Sequence, residues 1–236
     1  MLILHIETST NVCSVALSEN GSCLFQINDC NGQNHAKLLS PFIEQALTLL
    51  KSTNKTLDAV AVSAGPGSYT GLRIGLSTAK GLCYGFNVPL IAVDTLEIMT
   101  IEALKKATNA NENSIFCPMI DARRMEVYSA LFDKNGQKIR ETRSEIINQA
   151  SYSDIPEEDT MYYFGNGASK CTTIIQHPKA ILLENILPLA QNMIRLAENA
   201  YRNQHFADLA YFEPLYLKEV QTTVSTKTSK VLGVEK

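Results

Sequence analysis

The residues best placed to do chemistry lie in one glycine-rich corner, Gly65-Pro66-Gly67-Ser68-Tyr69-Thr70-Gly71, between a strand-like run and a helical one. Corners of this kind cradle phosphate when backbone N–H groups converge on it. A G-x-x-x-x-G-K-S/T loop fails here: counting from Gly65, position 70 is Thr and no Lys follows. A dinucleotide fingerprint fails at the same position for want of a glycine, and a G-x-S-x-G nucleophile elbow fails at Pro66. Ser68 reads instead as the N-cap of the following helix, with Gly65 to Gly67 making the turn. Other reactive types are scattered. The four histidines (His5, His35, His177 and His205) include no two close in sequence, and the six cysteines form no C-x-x-C pair. His5 sits in a strand that reads as core and His35 at a helix start; the cysteines read as reduced structural thiols. No catalytic, cofactor-binding or metal-binding residue is assigned.

The elements that must position this corner repeat. Runs 2–7, 12–18 and 22–29 read as strands, the third after the Asn20-Gly21 hairpin signal. A helix follows over about 33–51, then a strand at Leu57–Ser63, a helix over 68–86, a strand at Val88–Val93 and a helix from Thr95 to about Lys106. The order βββαβαβα then restarts. Strands are expected at Ile115–Ile120 and Glu126–Phe132, and a third through Ile139 after Asn135-Gly136. Short strands at Met161–Phe164 and Ala180–Leu183 and a long helix over Ile186–Gln204 complete it. Glu7 is followed by Ala16-Leu17 and Asn20-Gly21, as Asp121 is by Ala130-Leu131 and Asn135-Gly136. The recurrence points to internal duplication. A duplicated βββαβαβα unit is the plan of the actin-like ATPase superfamily, an α/β fold of two ribonuclease-H-like lobes, here with the second reduced. The expected divisions are an N-terminal lobe at 1–107, a C-terminal lobe at 113–220 with its last helix either kept there or packed back on the first, and a mobile tail at 221–236. Active members of that superfamily use an Asp-x-Gly-Thr/Ser turn, whose glycine lets the backbone approach phosphate. The corresponding turns, Glu7-Thr8-Ser9-Thr10 and Asp121-Ala122-Arg123, contain none. Arg123 and Arg124 are able to attract phosphate, and equally fit a structural role at the cleft.

The segment Ala61 to Gly75 closely resembles the signature of the TsaB/TsaD family, and Ile3-Leu4-His5-Ile6-Glu7-Thr8-Ser9 resembles its first strand. Lys80-Gly81-Leu82, Asp121-Ala122-Arg123-Arg124 with Val127-Tyr128, and Pro214-Leu215-Tyr216-Leu217 resemble the TsaB branch in particular. The resemblance implies a noncatalytic scaffold that binds TsaD and, with the ATPase TsaE, supports transfer of threonylcarbamoyl to tRNA adenosine beside the anticodon. The catalytic branch holds a metal through two histidines four apart on one helical face; His35 lies near that segment and has no such partner. The resemblance also implies pairing with TsaD through the two N-terminal helices, self-pairing when alone, and tRNA only as substrate of the complex.

The helices themselves carry a surplus of apolar surface. On a wheel of about 100° per residue, Thr70, Arg73, Ser77, Lys80 and Tyr84 form one polar stripe on the second helix, and the remaining arc of roughly 220° is apolar or small. A helix on one core needs a narrower stripe. Gly71, Gly75 and Ala79, spaced by four, form a strip that admits another helix, flanked by Leu72, Leu76 and Cys83 and by Leu38 and Phe42 of the first helix. These eight residues are the expected partner interface, the alternative being that the helices bury each other and the second lobe.

With 236 residues, 45% hydrophobic, 19% charged and a formal net charge of -3, the chain reads as a soluble globular protein with no general polyanion-binding surface. No signal peptide or membrane-length apolar run is recognisable, so a cytoplasmic location is expected. Two other readings stand beside the scaffold. An active small-molecule kinase or ATPase of this fold would need the phosphate turns that lack glycine, and a peptidase would need a triad or metal site that these residues do not assemble.

Overall fold

The computed structural model describes residues 1–32 and 34–217, so the expected tail at 221–236 lies outside the described residues. Two five-stranded sheets account for the strands. The first contains β1 (Leu2–Glu7), β2 (Cys13–Glu19), β3 (Ser22–Asp29), β4 (Ala59–Ser63) and β5 (Leu90–Val93), in the order β3-β2-β1-β4-β5. The second contains β6 (Ser114–Asp121), β7 (Glu126–Phe132), β8 (Lys138–Ile146), β9 (Thr160–Phe164) and β10 (Ala180–Leu183), in the order β10-β9-β6-β7-β8. Each is a three-stranded antiparallel meander continued by two parallel strands: β1, β4 and β5 in one, β6, β9 and β10 in the other. The duplication read from the acids, small-large pairs and Asn-Gly turns is therefore a duplication of topology. This is the α/β actin-like ATPase architecture with a reduced second lobe.

The helices are α1 (His35–Thr53), α2 (Tyr69–Phe86), α3 (Thr95–Lys106) and α4 (Ile194–Arg202). Alternation along β1 sends Leu2, Leu4 and Ile6 to one face, where they join Leu39, Phe42 and Ile43 of α1 and Leu76, Ala79 and Cys83 of α2. Ile3, with Ala61, Ile91 and Val93, packs on the opposite face against Met193 and Ala197 at α4. Chain order and packing thus diverge at both lobes. α3 lays Leu96, Met99 and Ala103 on Phe116, Phe132 and Phe164 of the second sheet, whereas α4 returns to the first.

Three boundaries differ from the sequence reading. Asp94 rather than Thr95 caps α3, its Oδ1 accepting from Leu96 N at 2.7 Å. The strand β8 runs on to Ile146, with exposed and half-buried residues alternating over Lys138–Ser144 along a sheet edge. The last helix is much shorter than Ile186–Gln204. Leu189, which follows Pro188, is extended, and Ala190 N donates to Ser14 Oγ of β2 at 3.1 Å, a long-range bond that replaces a helical one. A 3₁₀ turn at Ala190–Met193 then leads into α4.

Candidate partner-binding site

Ser68 caps α2 as its type suggests, with Oγ accepting from Gly71 N at 3.3 Å. What the corner receives is the chain itself. Ser68 N donates to Ser9 O at 2.6 Å, and Thr8 Oγ1 donates to Gly71 O at 2.8 Å. A methyl group at Gly67 would collide with Ser9 O, one at Gly71 with Thr8 O, and one at Gly75 with Thr8 Oγ1. The three glycines therefore admit the turn after β1 against the first two turns of α2. The space at this helix N-terminus is filled by Thr8 and Ser9.

Glu7, just before that turn, is fully buried; its Oε1 accepts from Ser9 N at 2.5 Å. Burial pushes its carboxyl up to about 7, against which the bonds from Ser9 and Ser63 act. His5, on the same strand, shares a 2.8 Å hydrogen bond between Nε2 and Ser18 Oγ, and burial pulls its imidazole down to about 3. His35 Nε2 donates to Val12 O at 3.0 Å, a structural hydrogen bond at the start of α1. In the second lobe Asp121 Oδ1 accepts from Arg123 N at 3.0 Å and from Lys170 Nζ, so this turn too is closed by its own residues. Arg123 and Arg124 are exposed there, both with positive φ. Among the described residues no three His, Cys, Asp or Glu side chains gather as a metal-binding group.

The expected outward strip on α2 is corrected by this packing. Gly71, Leu72, Gly75, Leu76, Ala79 and Cys83 are buried, as is Phe42 of α1, and Leu38 is half-buried. The small residues at 71, 75 and 79 let α2 settle on the chain's own β1 turn and sheet, not on a second helix. The wheel groups residues correctly by side; it does not tell which of two unpolar sides meets the sheet.

The side left open is composed differently. Thr70, Ser77, Gly81 and Gly85 are exposed, and Ile74, Thr78 and Leu82 half-buried. A Cβ placed on Gly81 or Gly85 would meet nothing within 4 Å. Tyr84, 84% exposed, stands beside this strip at the C-terminal end. Tyr69, Thr70, Arg73, Ile74, Ser77 and Thr78 line an open hollow of about 510 Å³ at the other end. The signal in the sequence was Ser77, Gly81 and Gly85, again spaced by four, partly hidden by assigning Ser77 to a polar stripe with Arg73 and Lys80.

Arg73 and Lys80 belong to a separate contact. Residues 207–216 run back along α2 as a strap: Ala207 N donates to Leu90 O at 2.8 Å, Lys80 Nζ to Ala210 O at 3.1 Å, and Leu215 N to Ala64 O at 2.8 Å. Leu209 and Phe212 of the strap pack on the first core. Arg73 Nε donates to Tyr216 OH at 3.3 Å, and the Tyr69 and Tyr216 rings lie 5.1 Å apart.

A two-lobed α/β protein whose glycine-rich first-lobe corner is filled by its own β-turn, beside an exposed helical face of small residues, is the class these features define. The family described as TsaD, tRNA N6-adenosine threonylcarbamoyltransferase, matches residues 30–225. The tRNA threonylcarbamoyladenosine biosynthesis protein TsaB of Escherichia coli (strain K12) is 30% identical over 92% of this chain and 95% of its own length. TsaB of Haemophilus influenzae is 30% identical over 94% of this chain and 95% of its own. Among solved structures, YeaZ from Pseudomonas aeruginosa aligns with a TM-score of 0.72 and 27% identity over 92% of this chain and 99% of that one. A Pseudomonas aeruginosa protein described as similar to the peptidase YeaZ aligns at 0.78 and 26% over the same shares. The chain belongs to the TsaB (YeaZ) family. No helix among the described residues is long and apolar enough to cross a membrane.

Proposed function

We propose that this chain serves tRNA threonylcarbamoyladenosine biosynthesis as a noncatalytic subunit. It binds TsaD and, with TsaE, supports transfer of threonylcarbamoyl to N6 of the tRNA adenosine next to the anticodon; alone, it pairs with itself through the same face. The observation that carries this reading is the contrast on α2. Its N-terminal corner is filled by Thr8 and Ser9, while its opposite side exposes Ser77, Gly81 and Gly85 among apolar neighbours. A phosphate-transfer enzyme of this fold needs a glycine in the turn after its first strand, and Glu7-Thr8-Ser9-Thr10 has none. A subunit that docks a partner helix needs the open side of α2, because small residues let backbones approach closely and apolar surface supplies the driving force. Most of the apolar girth read from the sequence is taken up inside the chain, so it is the small exposed residues that support this reading.

The test is complementation. Cells depleted of this protein are expected to lose threonylcarbamoyladenosine from tRNA, measured by nucleoside mass spectrometry. Arg123→Ala, in the second-lobe turn, is expected to restore it at least in part, and Gly81→Leu, which holds a partner helix away, is not. Full rescue by a folded Gly81→Leu protein together with failure of Arg123→Ala would place function in the cleft and overturn the scaffold reading.

A further inference from the structure

We propose that Arg73 is the anchor of the docking face, held by Tyr69 and Tyr216 to receive a carboxylate on a helix of the partner. The proposal rests on the reading that the outer side of α2 binds that partner. The Arg73 guanidinium lies 4.1 Å from the Tyr69 ring centroid and 5.9 Å from that of Tyr216, and its Nε is engaged by the Tyr216 hydroxyl. Cation–π contact and a fixed hydrogen bond hold the planar fork in one place. Its Nη1 and Nη2 have no hydrogen-bond or ion-pair partner among the described residues. A free, prepositioned guanidinium edge matches a carboxylate with two parallel hydrogen bonds and loses little side-chain freedom on binding.

Position and charge narrow the occupant. Arg73 stands at the rim of the hollow whose other lining residues are uncharged, so a single ionic contact would sit beside close apolar packing. Tyrosine and arginine at such a place make the usual composition of an interface hot spot. From Tyr69 to Phe86 the chain carries no acidic residue, so a second copy of α2 offers Arg73 no carboxylate. Glu213 of the strap lies near enough for its charge to act on Arg73 but makes no ion pair with it among the described residues, so the carboxylate is assigned to a partner of different sequence. The strap thereby has a role in recognition: Tyr216, more than a hundred residues away in the chain, completes the setting of a side chain on α2.

Calorimetric titration with purified TsaD at low and high salt tests this, using Arg73→Gln, Arg73→Lys, Tyr216→Phe and Gly81→Leu. Arg73→Gln is expected to weaken binding roughly thirtyfold and to flatten its salt dependence, with an unchanged melting temperature because the side chain is exposed. Lysine should recover only part of the loss, and Tyr216→Phe should lie near wild type in stability with a smaller loss of affinity. If Arg73→Gln binds as wild type while Gly81→Leu does not, the anchor is wrong and the docking face stands. If both bind as wild type, the docking reading fails with it. Complete recovery by lysine would overturn the stacked fork in favour of a bare charge.

Discussion

The glycines on the inner and outer sides of α2 are one residue type in opposite circumstances. Gly67, Gly71 and Gly75 face backbone and side-chain atoms of Thr8 and Ser9 so closely that no Cβ fits, whereas Gly81 and Gly85 face open space. A glycine inside a helix costs about 1 kcal/mol relative to alanine. On the inner side that cost is offset within the chain, because the absent Cβ admits the β1 turn and its bonds to Ser68 and Gly71. On the outer side nothing in the isolated chain offsets it. Spacing by four occurs in both series, so spacing alone marks a close approach without saying to what.

The largest expected effect tests the inner side. Gly75→Leu must displace Thr8 and break its hydrogen bond to Gly71, and overpacking of a fitted interior adds strain. Together these should destabilise the isolated chain by about 3 kcal/mol or more, read as a lower midpoint in urea. Leu76→Glu, which puts a carboxylate into the first core, is expected to do the same without any partner present. If either variant keeps wild-type stability, the inner side is not what the packing makes it.

Next in size is a pH effect from the same corner. Glu7 has its folded value raised to about 7 from 4.5 by burial, so the folded chain holds that proton more tightly than the unfolded chain between those values. Its contribution is complete below the unfolded value and is lost as pH rises through about 7, a fall on the order of 3 kcal/mol. His5 acts with the opposite sign: lowered to about 3 from 6.5, it lends stability above the unfolded value that is lost as pH falls towards 3. The two windows overlap with opposite slopes, so Glu7→Gln should remove the fall and leave the rise from His5, with stability climbing as pH goes up towards 6.5. Urea titrations of the two proteins from pH 5 to pH 8 measure this. The same slope in Glu7→Gln and wild type between pH 5 and pH 7 would mean that the carboxyl reaches water.

Much of this was legible in the sequence, and the exceptions share a cause. The strand order followed from local signals: Asn20-Gly21 and Asn135-Gly136 make the two hairpins, and apolar alternation made β1 a core strand. Ser68 was identified as a cap because capping is a local property of residue type. The length of the last helix was not legible, since Ser14, far away in the chain, captures Ala190 N. Nor was the orientation of α2. Both its sides are rich in small and apolar residues, and the decision between them rests on where Thr8 and Ser9 arrive. The strap was likewise out of reach: Pro214-Leu215-Tyr216-Leu217 was singled out by resemblance, but its contact with Arg73 is purely tertiary.

The smallest expected effect gives the sharpest test of the outer side. Gly81→Ala adds a methyl where nothing lies within 4 Å, in a helix interior that carries no positive φ at that position. Alanine there should stabilise the isolated chain by about 0.5–1 kcal/mol, since it narrows the unfolded ensemble and costs no contact. Gly85→Ala should act in the same direction and less strongly, being in the last turn of α2. On the docking reading, the cost of these glycines is offset only when the partner is bound. Both variants should accordingly bind TsaD more weakly than wild type although each folds better, because a methyl on this strip keeps the facing backbone at a distance. The two readouts, urea midpoint and titration, are expected to move in opposite directions in one protein. Gly81→Ala that gains stability and binds with unchanged affinity would mean that the outer glycines are not at the contact, and the distinction between the two series would then rest on the inner side alone.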